Sequence, residues 1–310
     1  MDKAMREGST IPVLIVLLAL VVIWYLAAIG LNAPWQLGIY ERGDVVDWTW
    51  PQFISDTWSQ ERPVLPSPHQ VLIELWNTTA GMAPTSKRSL VYHGWVTLSA
   101  TLLGFVLGTA LGILLAVLIV HNSATDRSLM LWIIASQTIP ILAIAPMIVI
   151  ISYNVLTGEN LLADWLNLDA DAARLVSKAL ISTYLSFFPV VVGMVKGFRS
   201  PEQLQLDLMH TYNASASQTF WKLRFPIALP YLFTSMKVAV AASLVGAIVG
   251  ELPTGAVAGL GARLLGGSYY GQTVQIWSAL FAAAILAGVL VIAVGVAEKL
   301  VITRMGARPA

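Results

Sequence analysis

Cysteine is absent from this 310-residue chain, which excludes disulfides, thiolate metal sites and cysteine nucleophiles. Charge is scarce: Asp, Glu, Lys and Arg make up 11% of the residues, where an ordinary soluble domain carries about 25%. The charges nearly cancel, to a net +1, and no Lys/Arg cluster offers a surface to nucleic acid. No G-x-x-x-x-G-K-[ST] phosphate loop occurs, so the chain itself is not expected to bind or hydrolyse ATP. G-x-S-x-G and H-E-x-x-H are missing as well, which disfavours a membrane enzyme. His69, His93, His121 and His210 are widely scattered. They lack metal-ligand spacing, so each reads as a boundary or loop residue and no metal is expected.

Apolar residues are abundant, at 57%. Runs long enough to cross a hydrocarbon core, which takes about 20 residues, recur along the chain. The expected fold is therefore an all-α integral membrane protein, a polytopic bundle of six spans near 11–31, 93–120, 130–153, 174–196, 230–252 and 275–302. The run Ile11–Gly30 is long for a signal-peptide core, and Asn32-Ala33-Pro34 is not a cleavage site, so it reads as a retained span. An even number of spans puts both termini on one side. With that side inside, the inner segments hold Lys3, Arg6, Arg127, Lys196, Arg199, Lys222, Arg224, Lys299, Arg304 and Arg308. Glu41, Asp44, Asp47, Asp56, Glu61, Glu159, Asp164, Asp169 and Asp171 lean outward. The positive-inside bias thus places both the N- and the C-terminus in the cytoplasm.

Two connections are long. The outer one, 32–92, carries Trp35, Trp48, Trp50 and Trp58, residues suited to the water–lipid boundary. It ends in LPSPHQVLIELW, where Gln70–Trp76 can start an interfacial helix. Lipid contact and a binding role both fit this segment. Within the spans, GFVLGTALG sets Gly104, Gly108 and Gly112 on one helical face. That spacing predicts close packing of the second span against another helix, in this chain or a partner. IPILAIAP places Pro140 and Pro146 mid-membrane, where each removes a helix hydrogen bond and predicts a kink or opening. Irregular backbone at that depth needs cover from protein or a wet cavity, so a translocation path and plain bundle packing both fit.

The inner connection, 197–230, reads as two capped helices. Ser200-Pro201-Glu202-Gln203 has an N-cap serine, proline at the first helical position and glutamine reaching back. Asn213 suits the left-handed conformation that ends a helix. Ser215-Ala216-Ser217-Gln218 repeats the capping box, and Pro226 must interrupt or end the second helix. Phe220 and Leu223 lie three apart, with Trp221 and Arg224 on an adjoining face. Such a helix can rest on lipid, fold back on its own bundle, or dock on a cytosolic partner.

This segment resembles the cytoplasmic loop of permease subunits of bacterial ABC importers, whose pattern is E-A-A-x-x-x-G, nine residues, then I-x-L-P. The aligned positions are Asp207, Leu208, Met209, Asn213, Leu223, Phe225 and Pro226. Aspartate replaces the glutamate, larger residues replace both alanines, and asparagine replaces the glycine. LPSPHQV, IPILAIAP, SFFPVVVGMVKGFRS and FPIALPYLFTSMKVAVAASLVGAIVGE are similar to permeases of the nitrate/sulfonate/taurine branch, and the likeness covers about 64–300. The stretch ELPTGAVAGLGARLLGGSYYGQTVQIW looks closest to branch members associated with pyrimidine-type heterocycles.

The resemblance implies a type I importer permease. A first span with the Trp-rich periplasmic segment (1–92) would precede a core (93–303), followed by a cytoplasmic tail (304–310). Two such chains, identical or paralogous, would form a pore in the bacterial inner membrane. Two cytosolic ATPase subunits would bind ATP and Mg, and a periplasmic binding protein would deliver the solute. Asp207, Asn213, Ser215, Gln218, Phe220, Trp221, Leu223, Arg224 and Pro226 are the residues assigned to ATPase coupling. Phe220 and Leu223 would form the contact. For the path, Ser136, Gln137 and Thr138 precede Pro140, while Tyr184 and Ser186 can face them from the fourth span. Glu251, at the outer end of the fifth span, reads as a boundary charge with a structural or gating role, and Lys237 can snorkel to the inner surface. A self-sufficient secondary transporter is the rival, but that class usually shows internal repeats, and none is visible.

Overall fold

The computed structural model describes residues 2–158, 161–253 and 258–305, with side chains from Ile11 onward except those of Leu161 and Leu162. Glu159, Arg308 and most of the tail 304–310, together with the side chains of Lys3 and Arg6, lie outside the described residues. Regular structure among the described residues is entirely helical. The chain forms two compact units, residues 1–92 with 263–282 and residues 93–262 with 283–310.

In the first unit, α1 (Asp2–Arg42), α2 (Trp50–Trp58) and α3 (Pro68–Thr79) surround a polar knot. The expected first span, 11–31, is too short: the helix runs through Pro34 to Arg42. Asn32 does not terminate it, because its side-chain amide is used elsewhere. Fully buried, it donates to the Thr57 and Leu65 carbonyls (3.0 and 2.9 Å) and accepts the Val64 and Leu65 N–H groups (2.8 and 3.1 Å). Pro68 opens α3 behind Ser67, whose N–H is taken by Gln70 at 3.1 Å. Of the tryptophans, Trp58 donates its indole N–H to the Tyr25 carbonyl at 3.2 Å and Trp48 stacks on Tyr40. Trp35 and Trp50 remain exposed. Aliphatic side chains from Ile11 to Ile23 are exposed around α1, as befits a helix in lipid.

The second unit is built from α4 (Leu90–His121), α5 (Ser123–Ser136), α6 (Ile141–Thr157), α7 (Leu161–Leu166), α8 (Ala170–Phe198), α9 (Gln203–Thr211), α10 (Ala216–Thr219), α11 (Phe225–Glu251) and the start of α12 (Leu260–Tyr269). The later part of α13 (Thr273–Arg304) completes it. Its axis is α8, gripped between α4 and α11. Val190, Val191, Met194 and Phe198 of α8 are all fully buried. The glycine stripe does what its spacing predicts, and its partner lies in the same chain. A Cβ on Gly104 or Gly108 would fall on the side chains of Ser182 or Ser186, and one on Gly112 would lie 2.7 Å from Val190 Cβ. Gly246 of α11 closes on the other side, with Ser182 Cα 2.7 Å from where its Cβ would be. In lipid, where apolar burial gives helices no advantage over acyl chains, such backbone proximity is what holds them together.

Among the described residues, five helices are long and apolar enough to span a membrane, and α5 with α6 makes a sixth only as a pair bent by 99°. The expected span 130–153 is therefore two helices meeting at Gln137–Pro140, with Pro140 as the N-cap of α6. Pro146, by contrast, lies inside an unbroken α6.

Candidate coupling element and solute path

The segment after α8 is a pair of short helices with defined ends. Its first cap differs from expectation. Helix α9 begins at Gln203 with Glu202 as N-cap, and Gln205 accepts the Glu202 N–H at 3.1 Å. Ser200 instead donates back to the Gly197 carbonyl at 2.7 Å, which ends α8. Asn213 makes the turn as expected, with φ of 50°. The Ala214 N–H reaches the Met209 carbonyl (3.0 Å) and the Asn213 N–H reaches His210 (2.9 Å), the two bonds of a Schellman motif. Ser215 and Gln218 form the second capping box, at 2.8 and 3.3 Å. Asp207 accepts from Gln203 within the exposed face of α9 at 2.9 Å.

Pro226 does not end the second helix. The chain passes through one wide turn, Phe220–Arg224, in which the Phe225 N–H bonds five residues back to the Phe220 carbonyl, and continues as α11. A proline lacks its own N–H and crowds the carbonyl four residues earlier, and a π-type turn makes room for both defects without a break. The coupling segment is thus continuous with a membrane-spanning helix, from Ala216 to Glu251.

Phe220 is not an outward contact. It is 7% exposed and packs on the rings of Phe198 and His121, with centroids 5.2 and 5.1 Å away. Arg224 donates to the Phe198 carbonyl at 2.8 Å, and Arg199 pairs with Asp126 at 2.8 Å. Leu223 is half-buried. These contacts fix the element to the ends of α4, α5 and α8. What faces outward is Trp221, 61% exposed, and on α9 a stripe of Leu204, Leu208 and Tyr212 at 77%, 55% and 77%. Their four-residue spacing in QLQLDLMHTY is the signal for this face, with Leu206 and Met209 half-buried beside it.

At the α5–α6 elbow, the Tyr184 hydroxyl of α8 donates to the Ser136 carbonyl, so these two residues do meet. Gln137 is half-buried and donates to Ser136 Oγ at 3.3 Å, while Thr138 and Pro140 are exposed. Ser186 points the other way. It is fully buried against α4 and donates to the Gly104 carbonyl at 3.2 Å, because two residues along a helix turn a side chain by about 200°. Lys237 does not simply snorkel; its ammonium pairs with Glu298 of α13.

Glu251 and His93 also depart from expectation. Neither is a boundary residue: Glu251 is fully buried and His93 is 3% exposed. The Glu251 carboxylate accepts the Thr97 hydroxyl at 3.0 Å and the Gly261 N–H at 2.8 Å, with the Lys178 ammonium 3.6 Å away. His93 Nδ1 accepts the Gly259 N–H at 2.9 Å. The signal in sequence was GLG eight residues after a span-terminal glutamate, unreadable without knowing that the chain turns back.

Similarity to known proteins agrees with this geometry. Residues 108–307 match the family described as the binding-protein-dependent transport system inner membrane component. The formylaminopyrimidine transport permease protein ThiX of Halalkalibacterium halodurans is 31% identical over 199 residues, 64% of this chain and 68% of that protein. A probable ABC transporter permease protein of Haemophilus influenzae is 30% identical over 210 residues, 68% of this chain and 74% of the relative. The riboflavin transport system permease protein RibX of Chloroflexus aurantiacus is 28% identical over 268 residues, 86% and 84% of the two chains. With the match covering 108–307 of 310 residues and running from the glycine stripe through the capped loop to the last span, the chain belongs to the inner membrane permease family of binding-protein-dependent ABC transporters.

Proposed function

We propose that this chain forms the solute path of an ATP-driven importer, paired with a second permease chain and driven by two cytosolic ATPase subunits that carry ATP and Mg. A periplasmic binding protein delivers the solute, and both termini lie in the cytoplasm. The observation that carries the reading is the exposed apolar surface of this segment: a stripe of Leu204, Leu208 and Tyr212 along α9, and Trp221 on a turn tied into the bundle by Phe220 and Arg224. A face this greasy on a rigid, capped turn suits a protein groove, and force applied there passes straight into α8 and α11. The solute is a small polar organic molecule or anion. The names of ThiX and RibX, which concern nitrogen heterocycles, favour a pyrimidine-type compound over a sulfonate. Ser136, Gln137, Thr138 and Tyr184, gathered at the elbow, are the residues assigned to its path.

Co-purification of the chain with candidate ATPase subunits from the same source tests the docking face. Leu208→Asp with Trp221→Asp should release the ATPase while the bundle stays folded. Retention of the ATPase by that variant would remove the assigned face. Solute uptake that continues without any ATPase would instead establish a self-sufficient secondary transporter.

A further inference from the structure

At the end of α8 opposite the coupling element, consecutive residues are each held by a different side chain. The Ala258 carbonyl accepts from Lys178 of α8 at 3.3 Å, the Gly259 N–H goes to His93 of α4 at 2.9 Å, the Leu260 N–H to Thr97 of α4 at 2.8 Å, and the Gly261 N–H to Glu251 of α11 at 2.8 Å. These three N–H groups are among the donors that a helix leaves unpaired at its start, and at α12 each of the three is taken by a side chain of another helix. Glu251 ties the set together, because it also takes the Thr97 hydroxyl and faces Lys178. The sequence is shaped to let backbone reach it. Gly259 has φ of +129°, a Cβ there would fall on the Glu251 carboxyl group, and one on Gly261 would lie 2.4 Å from the Ile248 carbonyl. A neutral residue could cap a helix as well. A buried carboxylate is costly to desolvate, and it is stable here only while its partners stay together.

From this geometry we infer that Glu251 is the positioning residue that locks the first turn of α12 to α4, α8 and α11, so that this turn moves with the α8 axis when the coupling element moves. The inference rests on the importer reading for the origin of that motion. The two ends belong to one helix, which continues through Pro189. From Phe198 to Lys178 is one unbroken helix, about 30 Å at 1.5 Å per residue, and glycine contacts hold α4 and α11 to it over that length.

The test uses the full chain with its ATPase in lipid nanodiscs, as wild type, Glu251→Gln and Glu251→Ala. Hydrogen exchange reads the clamp: Glu251→Ala should speed exchange at residues 259–262 by about ten- to a hundredfold, the loss expected for a hydrogen bond to a charged group. Glu251→Gln should speed it less, because its amide oxygen still accepts a neutral bond, and both should leave 186–194 unchanged. The chain has no cysteine, so Ala262→Cys, half-buried in that first turn of α12, takes a single spin label. Its spectrum should differ between nucleotide-free and vanadate-trapped wild type, and that difference should vanish in Glu251→Ala and shrink in Glu251→Gln, with ATPase association intact. A spectral response surviving in Glu251→Ala, unchanged exchange at 259–262, or exchange rising equally at 186–194 would each overturn the positioning role. A wild-type complex with neither ATP hydrolysis nor a spectral response would sink the importer reading instead, and the exchange data alone would then judge the clamp.

Discussion

Replacing Gly108 with alanine tests the packing on which the bundle depends. The added Cβ would fall on Ser186 Oγ and lie 3.0 Å from the Thr183 carbonyl and 3.1 Å from the Phe187 nitrogen. The serine can rotate away, but the backbone atoms belong to the interior of α8 and cannot, so α4 must back off. Separation stretches the bonds that Ser186 and Thr183 donate to the Gly104 carbonyl, at 3.2 and 3.3 Å, each worth about 0.5–1.5 kcal/mol. Overpacking adds about 1–3 kcal/mol, and the better helix propensity of alanine returns about 1 kcal/mol. The expected net loss is about 1–5 kcal/mol, or about 2–4 °C of melting temperature for each kcal/mol. Gly94→Ala, on the same helix with open space around its Cβ, should show only the gain of up to about 1 kcal/mol. Thermal melting of both variants in detergent decides the matter. If Gly108→Ala is as stable as Gly94→Ala, the close approach of α4 to α8 is not what holds the core.

The remaining predictions concern the coupling element. Phe220→Ala should cost about 3–5 kcal/mol, as for an aromatic deleted from a core, and lower the melting temperature. Trp221→Ala loses ring contacts to Phe220 and Phe225, should cost at most about 0.5–1.5 kcal/mol per pair, well below Phe220→Ala, and should weaken ATPase association more than melting. Asn213→Gly should be nearly neutral, whereas Asn213→Val forces a β-branched residue to φ of 50° and should cost about 1–2 kcal/mol, read as faster proteolysis of residues 211–215. Ser215→Ala removes a cap worth about 0.5–2 kcal/mol and should raise proteolysis at the same place without altering α8.

What could be read from sequence had its cause within a few residues. The glycine stripe, the left-handed Asn213 and the Ser215–Gln218 box are local geometry, and each appears in the fold. Phe220 was misread because its own helix offers two faces and only the position of Phe198 and His121 decides between them. Glu251 was misread because its partners lie 154 residues upstream at Thr97 and 10 downstream at Gly261. A charge at the end of a span looks cheap until the chain beyond it is seen to fold back as a cap.

The prolines show the same division within one residue type. Among the described residues, Pro12, Pro34, Pro146, Pro189 and Pro230 sit inside helices, whereas Pro140 stands at the sharp break between α5 and α6. Proline therefore does not by itself open a membrane helix; the freed backbone groups must have somewhere to go. Before Pro140 they do. Ser136 and Thr138 donate to the carbonyls of Ile133 and Ala135 at 2.7 Å, and the Ser136 carbonyl receives the Tyr184 hydroxyl. Around Pro146 the neighbours are aliphatic and offer no such partners, so bending there would strand more polar groups than the proline already does. At Pro226 a third solution appears, a wide turn that absorbs the defect and leaves the helix stiff. An elbow needs polar residues beside the proline, and a rigid lever needs the defect hidden. The chain uses the first where the path is assigned and the second where force is expected to enter.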